Sequence, residues 1–462
     1  MQENFVCRIE DNARRLAGKT ALIWKRGALT WSDLDRHASG LAGSLSRRGV
    51  EAGDRIAIVL PNGPDFAIAF LAVLKLGATP APLNPLLTSE ELAMLIGDLK
   101  PKIILKEVSA EPGQWQTQRL CAAPALILYT SGSTGAPKGA VFSHDALAFA
   151  NRSWGETVMG LTPDDRVLVA VPLAHSLGLN GGLLAPLLLG STVVVSERFA
   201  PEPVAAAARQ HRVTVFPGVA TIFRRLLNAP GFSSADFSSL RIAVSGAAPC
   251  PWELALEWRE KAGSRIIRGY GMTELFRPIS FRARDPSDVP EAVGKAVPGV
   301  ELALEGAGVD DAGELLVKSP AVMDGYLGDQ VETEKVVRAG GWFKTGDLAA
   351  ISPEGYVRIL GRTRERILRG GYSIFPQEIE AVLLSHPEVA EATVMGVPHP
   401  ELGEEVAAFV SLKPTGRVSS ETLLDYCRDR LARYKYPRSL EILPELPKGT
   451  TGKVLKSALI KS

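Results

Sequence analysis

The chain has 462 residues, too many for one compact core, so two or more domains are expected. Hydrophobic residues make up 46% and charged ones 22%, the mix of a water-soluble globular protein. A formal net charge of +1 gives neither nucleic acid nor an anionic membrane a reason to bind. Cys7, Cys121, Cys250 and Cys427 lie far apart without CxxC spacing, which argues against a disulfide framework or zinc site and for a reduced, cytoplasmic protein.

The N-terminal MQENFVCRIEDNARR is charged from its first turn and holds no apolar stretch, so no signal peptide is expected. Residues 55–61 read as a buried strand and 64–76 as a helix; 101–124 is short and polar. Residues 125–128 form an apolar strand that delivers a Ser/Thr/Gly loop, and Val141-Phe142 resumes after it. From 167 to 196 there is no formally charged side chain, yet Pro172, His175, Asn180 and Pro186 interrupt the run. A bilayer span prefers about 20 predominantly apolar residues in satisfied helix. The expectation is therefore strand, loop, short helix and strand, with no membrane span. Further buried strands are expected at 166–173, 191–196, 213–216 and 240–245, with helices at 201–210 and 251–261. This alternation predicts a layered α/β fold with largely buried sheets. After about Gly361 the units shorten: helix 376–384, strands 389–397 and 406–412, and helix 420–431. A large N-terminal domain over 1–361 and a small α+β domain over 362–462 are expected, divided at Arg362-Thr363-Arg364.

The loop LYTSGSTGAPKG, residues 128–139, carries the strongest chemical signal. Its glycines let backbone N–H groups close on an anion, its hydroxyls add donors, and Lys138 adds a compact cation. It is no Walker A loop, because Gly139 stands where Ser or Thr must follow the lysine. Tyr270, Thr273 and Glu274 of GYGMTE follow an expected strand, 265–267, and read either as base, phosphate and divalent-metal contacts or as a surface turn with a buried tyrosine. Asp347 of GWFKTGDL suits a ribose diol or a turn. GRTRER (361–366) and PKGTTGK (447–453), taken singly, read as a solvated turn and a flexible tail.

In this order, LYTSGSTGAPKG, PLAHSLGL, SGAAP, YGMTE, GWFKTGD, GRTRERI, GGYSIFPQEIE and PKGTTGKVLK resemble the adenylate-forming superfamily of acyl-CoA synthetases, adenylation domains and beetle luciferases. The resemblance covers nearly the whole chain. It implies an acid–CoA ligase that forms an acyl adenylate from ATP, then transfers the acyl group to the coenzyme A thiol as a small mobile C-terminal domain rotates. Thr130, Ser131, Gly132, Ser133, Thr134, Gly135 and Lys138 would hold the triphosphate. Gly246, Ala247, Ala248, Tyr270 and Gly271 would frame adenine, Thr273 the α-phosphate and Glu274 a magnesium ion. Asp347 and Arg362 would take the ribose, and Lys453 would reach ATP and carboxylate during adenylation. Gly370, Gly371 and Tyr372 would face the site when the thiol reacts. The hinge position falls at 363–364, where Arg364 departs from the family's usual Asp or Lys. The resemblance leaves open a carrier-protein thiol as acceptor, a homodimer, and a nucleotide-binding protein with a decayed site; every expected catalytic position is filled, which argues against decay.

The same resemblance implies an acyl pocket lined by His175, Leu179, Val219, Gly246 and Gly269. Glycine at 269 leaves the floor wide, favouring a medium-sized aliphatic or aromatic acid over acetate. Short-dicarboxylate activators of the family carry Arg immediately before the tyrosine, so Gly269 argues against malonate. Arg268 and Arg277 stand as candidates to meet a second carboxylate or polar group, or as surface or salt-bridge arginines.

Overall fold

The computed structural model describes residues 2–130, 137–285, 288–306, 312–362, 367–369, 372–374, 376–400, 402–431, 435–448 and 454–459. The chain divides into two compact units, Met1–Leu302 with Val317–Lys344, and Ala303–Leu316 with Thr345–Ser462. The change of composition after Gly361 falls inside the second.

In the first unit, helices α1 (Val6–Arg15), α2 (Trp31–Arg47) and α3 (Pro64–Lys75) accompany the hairpin β1 (Thr20–Trp24) and β2 (Gly27–Thr30). Thr30 caps α2 by accepting from the Asp33 N–H, and Pro64 opens α3 where its missing donor costs nothing. β3 (Arg55–Ile58) pairs in parallel with β4 (Thr79–Pro82) and β5 (Ile103–Leu105). β6 (Leu126–Thr130) and β7 (Lys138–Phe142) are antiparallel, the two stems of the Ser/Thr/Gly loop. Five parallel strands follow: β8 (Arg166–Val169), β9 (Thr192–Val195), β10 (Val215–Gly218), β11 (Ile242–Ser245) and β12 (Arg265–Ile267). With the hairpin they form a seven-stranded sheet in the order β12-β11-β10-β8-β9-β1-β2. Its strands are apolar along their length, as expected where both faces are covered.

The uncharged run resolves as β8, a π-helical segment Leu177–Leu184, the short helix Ala185–Leu188 and β9. Gly178 permits the packing here, since a Cβ on it would lie 2.2 Å from the Pro172 carbonyl oxygen. Among the described residues no helix is long and apolar enough to cross a membrane. All four cysteines are free thiols.

Two buried polar nodes tie the N-terminal helices down. Lys75, at the end of α3 and 2% exposed, forms ion pairs with Glu10 of α1 and with Asp35 of α2 at 2.8 Å. His144, the first residue of helix His144–Arg152, accepts at Nδ1 from the Phe5 N–H at 3.1 Å. Burial pushes this imidazole down to about 4 from an ordinary 6.5. Between those values the unfolded chain binds a proton that the folded chain refuses, so stability falls as pH drops from 6.5 toward 4. His144→Asn keeps a neutral acceptor in place. Urea titrations are expected to show its loss of stability over that interval smaller than wild type by about 3 kcal/mol; parallel curves would remove His144 as the cause.

In the second unit an antiparallel strand pair is followed by an α+β core. The first unit also contains β13 (Gly269–Met272), β14 (Phe276–Ser280), β15 (Lys295–Ala296) and β16 (Gly325–Tyr326). β17 is Trp342–Ile351 and β18 Val357–Arg362. Beyond them β19 (Ile367–Arg369), β20 (Tyr372–Ile374), β21 (Val389–His399), β22 (Gly403–Leu412) and β23 (Ser439–Ile442) make a sheet in the order β20-β19-β22-β21, with β23 parallel to β22. Helices Pro376–Leu384 and Ser420–Arg428 help close a core that includes Ile379, Leu383, Val394, Val410 and Leu423.

Candidate active site

The carboxyl ends of β10, β11 and β12 gather the expected acyl-pocket residues. The Gly246 N–H donates to the Gly218 carbonyl at 3.1 Å, and Val219 leads into helix Ala220–Leu227. A Cβ on Gly246 would meet Leu177 at 3.2 Å and the Arg277 guanidinium at 3.3 Å, which places the π-helical segment beside these strand ends. His175 precedes that segment and its carbonyl accepts from the Leu179 N–H; Leu179 itself is fully buried. Ala247 follows with φ of 63°, a left-handed conformation that costs a Cβ-bearing residue about 1–2 kcal/mol and turns the chain sharply after β11. Ala247 and Ala248 are exposed.

Gly269 differs from expectation. A Cβ there would lie 2.3 Å from Nη2 of Arg277, so the room this glycine leaves is taken by a guanidinium. Arg268, the neighbouring candidate, is a strut. It donates from Nη2 to the Val289 carbonyl at 2.7 Å and from Nη1 to Pro290, with its guanidinium against Trp252 and Phe281.

Tyr270 and Gly271 lie on β13, paired antiparallel to β14 across a bulge. Gly271 is sterically required, because a Cβ would fall 1.8 Å from the Phe276 carbonyl oxygen. Thr273 and Glu274 occupy the tight turn between these strands, and Phe276 (φ 56°) packs its ring on Phe142 of β7 with centroids 4.5 Å apart. The Tyr326 hydroxyl donates to Oε1 of Glu274 at 3.0 Å, and the Glu274 carbonyl accepts from the Met323 N–H. Burial and the Glu274 charge push the Tyr326 phenol up, so it stays a neutral donor. Tyr326 belongs to β16, which pairs with β7. Its ring lies 5.2 Å from the Lys138 ammonium, which is ion-paired with Glu332. Hydrogen bonds from Lys138 and then Lys335 hold the Glu332 carboxyl down to about 2. Residues 323–332 thus join the stem of the phosphate loop to the turn that carries Glu274. Sequence reasoning passed over Tyr326 and Glu332, because GYLGDQVETEK has no spacing that marks it.

The second Glu274 oxygen has no hydrogen bond among the described residues, and Glu274 is half-buried. One available carboxylate oxygen, linked through Tyr326 to the Lys138 ammonium, fits magnesium, which takes few protein ligands and fills its shell with phosphate and water.

In the second unit Asp347 and Arg362 face each other in register on β17 and β18, with Arg362 Nε 3.3 Å from Asp347 Oδ1. Asp347 is 5% exposed and Arg362 exposed. The Asp347 N–H donates to Thr345 Oγ1, whose own hydroxyl binds the Leu315 carbonyl at 2.8 Å, fixing the turn.

Residues 9–123 and 114–327 match the AMP-binding enzyme family, and 378–453 match the AMP-binding enzyme C-terminal domain. The chain belongs to the AMP-binding enzyme family. A feruloyl-CoA synthase from Amycolatopsis sp is 35% identical over 96% of both chains. A long-chain-fatty-acid–CoA ligase from Bacillus subtilis (strain 168) is 30% identical over 98% of this chain and 93% of its own. The crystal structure of ATP-bound MatB from Rhodopseudomonas palustris superposes with a TM-score of 0.91 at 30% identity, covering 99% and 98%. This AMP-binding enzyme is an AMP-forming acid–CoA ligase that uses ATP and coenzyme A, with the expected α/β fold of a large N-terminal and a small C-terminal domain. Thr130 ends β6 and Lys138 begins β7, whereas Ser131, Gly132, Ser133, Thr134, Gly135, Gly370, Gly371, Lys453 and the hinge at 363–364 lie outside the described residues. Tyr372 is described only as the start of β20. Among the basic residues of the C-terminal stretch, Lys435 is ion-paired with Glu378 at 2.7 Å, Arg438 stacks on Tyr436, and Arg433 lies outside the described residues.

Proposed function

We propose that this ligase activates a medium-sized aliphatic or aromatic acid in the cytoplasm, with the following division of labour. Thr130 to Gly135 and Lys138 grip the phosphates that depart as pyrophosphate. Tyr270 and Ala247 bracket adenine, framed by Gly246, Ala248 and Gly271, and Thr273 contacts the α-phosphate. Asp347 accepts the ribose hydroxyls with Arg362 beside it. Glu274 would hold a magnesium ion, which supplies charge neutralisation between phosphate oxygens when bound.

A carboxylate is repelled by a triphosphate, so its attack on the α-phosphorus depends on positioning and charge screening. Lys453 screens the approaching carboxylate while the loop aligns the leaving group. The acyl adenylate then offers AMP as leaving group to the thiol. The first half-reaction takes place at the α-phosphorus and the second at the acyl carbon, so each needs different residues at its centre, and rotation of residues 362–462 about 363–364 supplies them in turn, Lys453 first and the Gly370–Tyr372 segment second.

The observation that carries this reading is the Lys138–Tyr326–Glu274 connection, which ties a phosphate-holding cation and a metal-holding carboxylate to one frame. ATP–pyrophosphate exchange over a panel of acids, followed by detection of the CoA thioester, tests it. Exchange with at least one acid and a thioester product are expected. Exchange without thioester would move the acceptor to a carrier-protein thiol, and no exchange with any acid would overturn the reading. Arg364→Pro is expected to leave exchange within about threefold of wild type and slow thioester formation by tenfold or more, as for a rate-setting domain movement. Equal loss of both steps would count against a hinge there.

A further inference from the structure

Arg277 is 6% exposed and sits at the ends of β11 and β12. Its Nε donates to Ser280 Oγ at 2.9 Å, Nη1 to the Ser245 carbonyl at 2.7 Å, and Nη2 to the Ile267 carbonyl at 3.3 Å. The guanidinium lies 4.9 Å from the centroid of the Trp154 ring. A guanidinium has five N–H donors, so one N–H on each terminal nitrogen has no acceptor among the described residues.

Among the described residues no carboxylate balances this charge. Arg241 by contrast pairs with Asp165 at 2.8 Å and Arg265 with Asp288 at 3.5 Å. Among the described residues the Cys250 thiol is the other ionisable group acting on Arg277, and burial lowers the guanidinium to about 9. That thiol is pushed the other way, up to about 11, and stays neutral. The Ser245 hydroxyl, at the same strand end, is buried beside the neutral Cys250 thiol and has no oxygen or nitrogen partner among the described residues. A buried cation without a counter-charge is costly, and the cost falls when an anion with matched geometry arrives. The surroundings are those of the acyl pocket: the two free N–H groups belong to the nitrogens that meet Gly246 and Gly269.

We propose that Arg277 is a specificity residue that receives a second carboxylate of the substrate, remote from the one activated, so that the preferred acid is dianionic. The two free N–H groups make a fork suited to a carboxylate, and the Ser245 hydroxyl adds a third donor. A side chain at Gly269 would displace this fork, and one at Gly246 would press on it and on Leu177. The inference rests on the acid–CoA ligase reading and sharpens its substrate class from medium-sized acid to diacid.

The test uses full-length enzyme in ATP–pyrophosphate exchange with acid pairs matched in carbon skeleton: hexanoate against adipate, and benzoate against isophthalate. Wild type is expected to favour one or both diacids by about 100-fold or more in kcat/KM, since a buried polar site rejects an analogue that leaves it unpaired. Arg277→Met is expected to erase that preference mainly through KM for the diacid, Arg277→Lys to keep part of it, and Ser245→Ala to weaken it without loss of folding. Wild type that exchanges only with monoacids overturns the proposal while leaving the ligase reading intact. Exchange with no acid overturns the ligase reading itself. Because the wild-type ratio decides the first question, failure of Arg277→Met to fold leaves the outcome unaffected.

Discussion

Replacing Lys453 with alanine is expected to slow acyl-adenylate formation by about 100- to 1,000-fold, the ~2.7–4 kcal/mol that a single preorganised charge contributes at such a site. The reason is electrostatic. The attacking carboxylate approaches a phosphate chain of like charge, and in the proposed division of labour the Lys453 ammonium lowers the repulsion at the moment of attack. Thioester formation from supplied acyl adenylate has no such need, because its electrophile is already activated. Pre-formed adenylate and coenzyme A should therefore react within about threefold of the wild-type rate, a split unlike the uniform loss from damaged folding. Single-turnover measurements of each half-reaction provide the check, and equal impairment of both would remove Lys453 from its proposed place.

Lys75→Met is the substitution expected to cost most in stability, about 3–5 kcal/mol, the range for removing one member of a buried charge pair. Lys75 carries the only cation at a junction of three helices, among the described ion pairs there, and Glu10 also accepts from Thr117. Methionine keeps the stem's packing, so the loss isolates the charge. Adding Glu10→Gln should recover part of it, because the stranded carboxylate is then gone, and a double-mutant cycle in urea measures the coupling. A single-variant loss below about 1 kcal/mol, or strict additivity, would show that the node is not a coupled pair. Since the junction lies away from β11, β12 and β13, exchange activity at low temperature should stay near wild type.

The architecture was legible because buried parallel strands leave short apolar runs. Residues 201–210 and 376–384 form the helices their patterns announce, and the strands at 166–173 and 240–245 appear with trimmed ends. The family was legible because its motifs recur in order over nearly the whole chain, each with a narrow choice of side chains. What escaped was set by distance through space. Glycine at 269 says only that a side chain is missing there; the occupant of the space, Arg277, arrives from the returning strand β14. Arg268 and Arg277 look equivalent in the sequence, yet one grips loop carbonyls and the other points charge at two glycines. Tyr326 and Glu332 lie nearly two hundred residues after Lys138, and only the pairing of β16 with β7 brings them beside it.

The Lys138–Glu332 pair has a thermodynamic consequence for ATP. An anion that engages Lys138 must displace a carboxylate of the same chain, so binding at this lysine is ion exchange rather than fresh neutralisation. Glu332 is left with Lys335, its second partner, which lowers the cost of the swap. Counter-ions from solution are then released by this lysine only in small number. The salt dependence of ATP affinity should accordingly be shallower than the count of positive charges around the loop would suggest, and weak monovalent anions should compete poorly for the same ammonium.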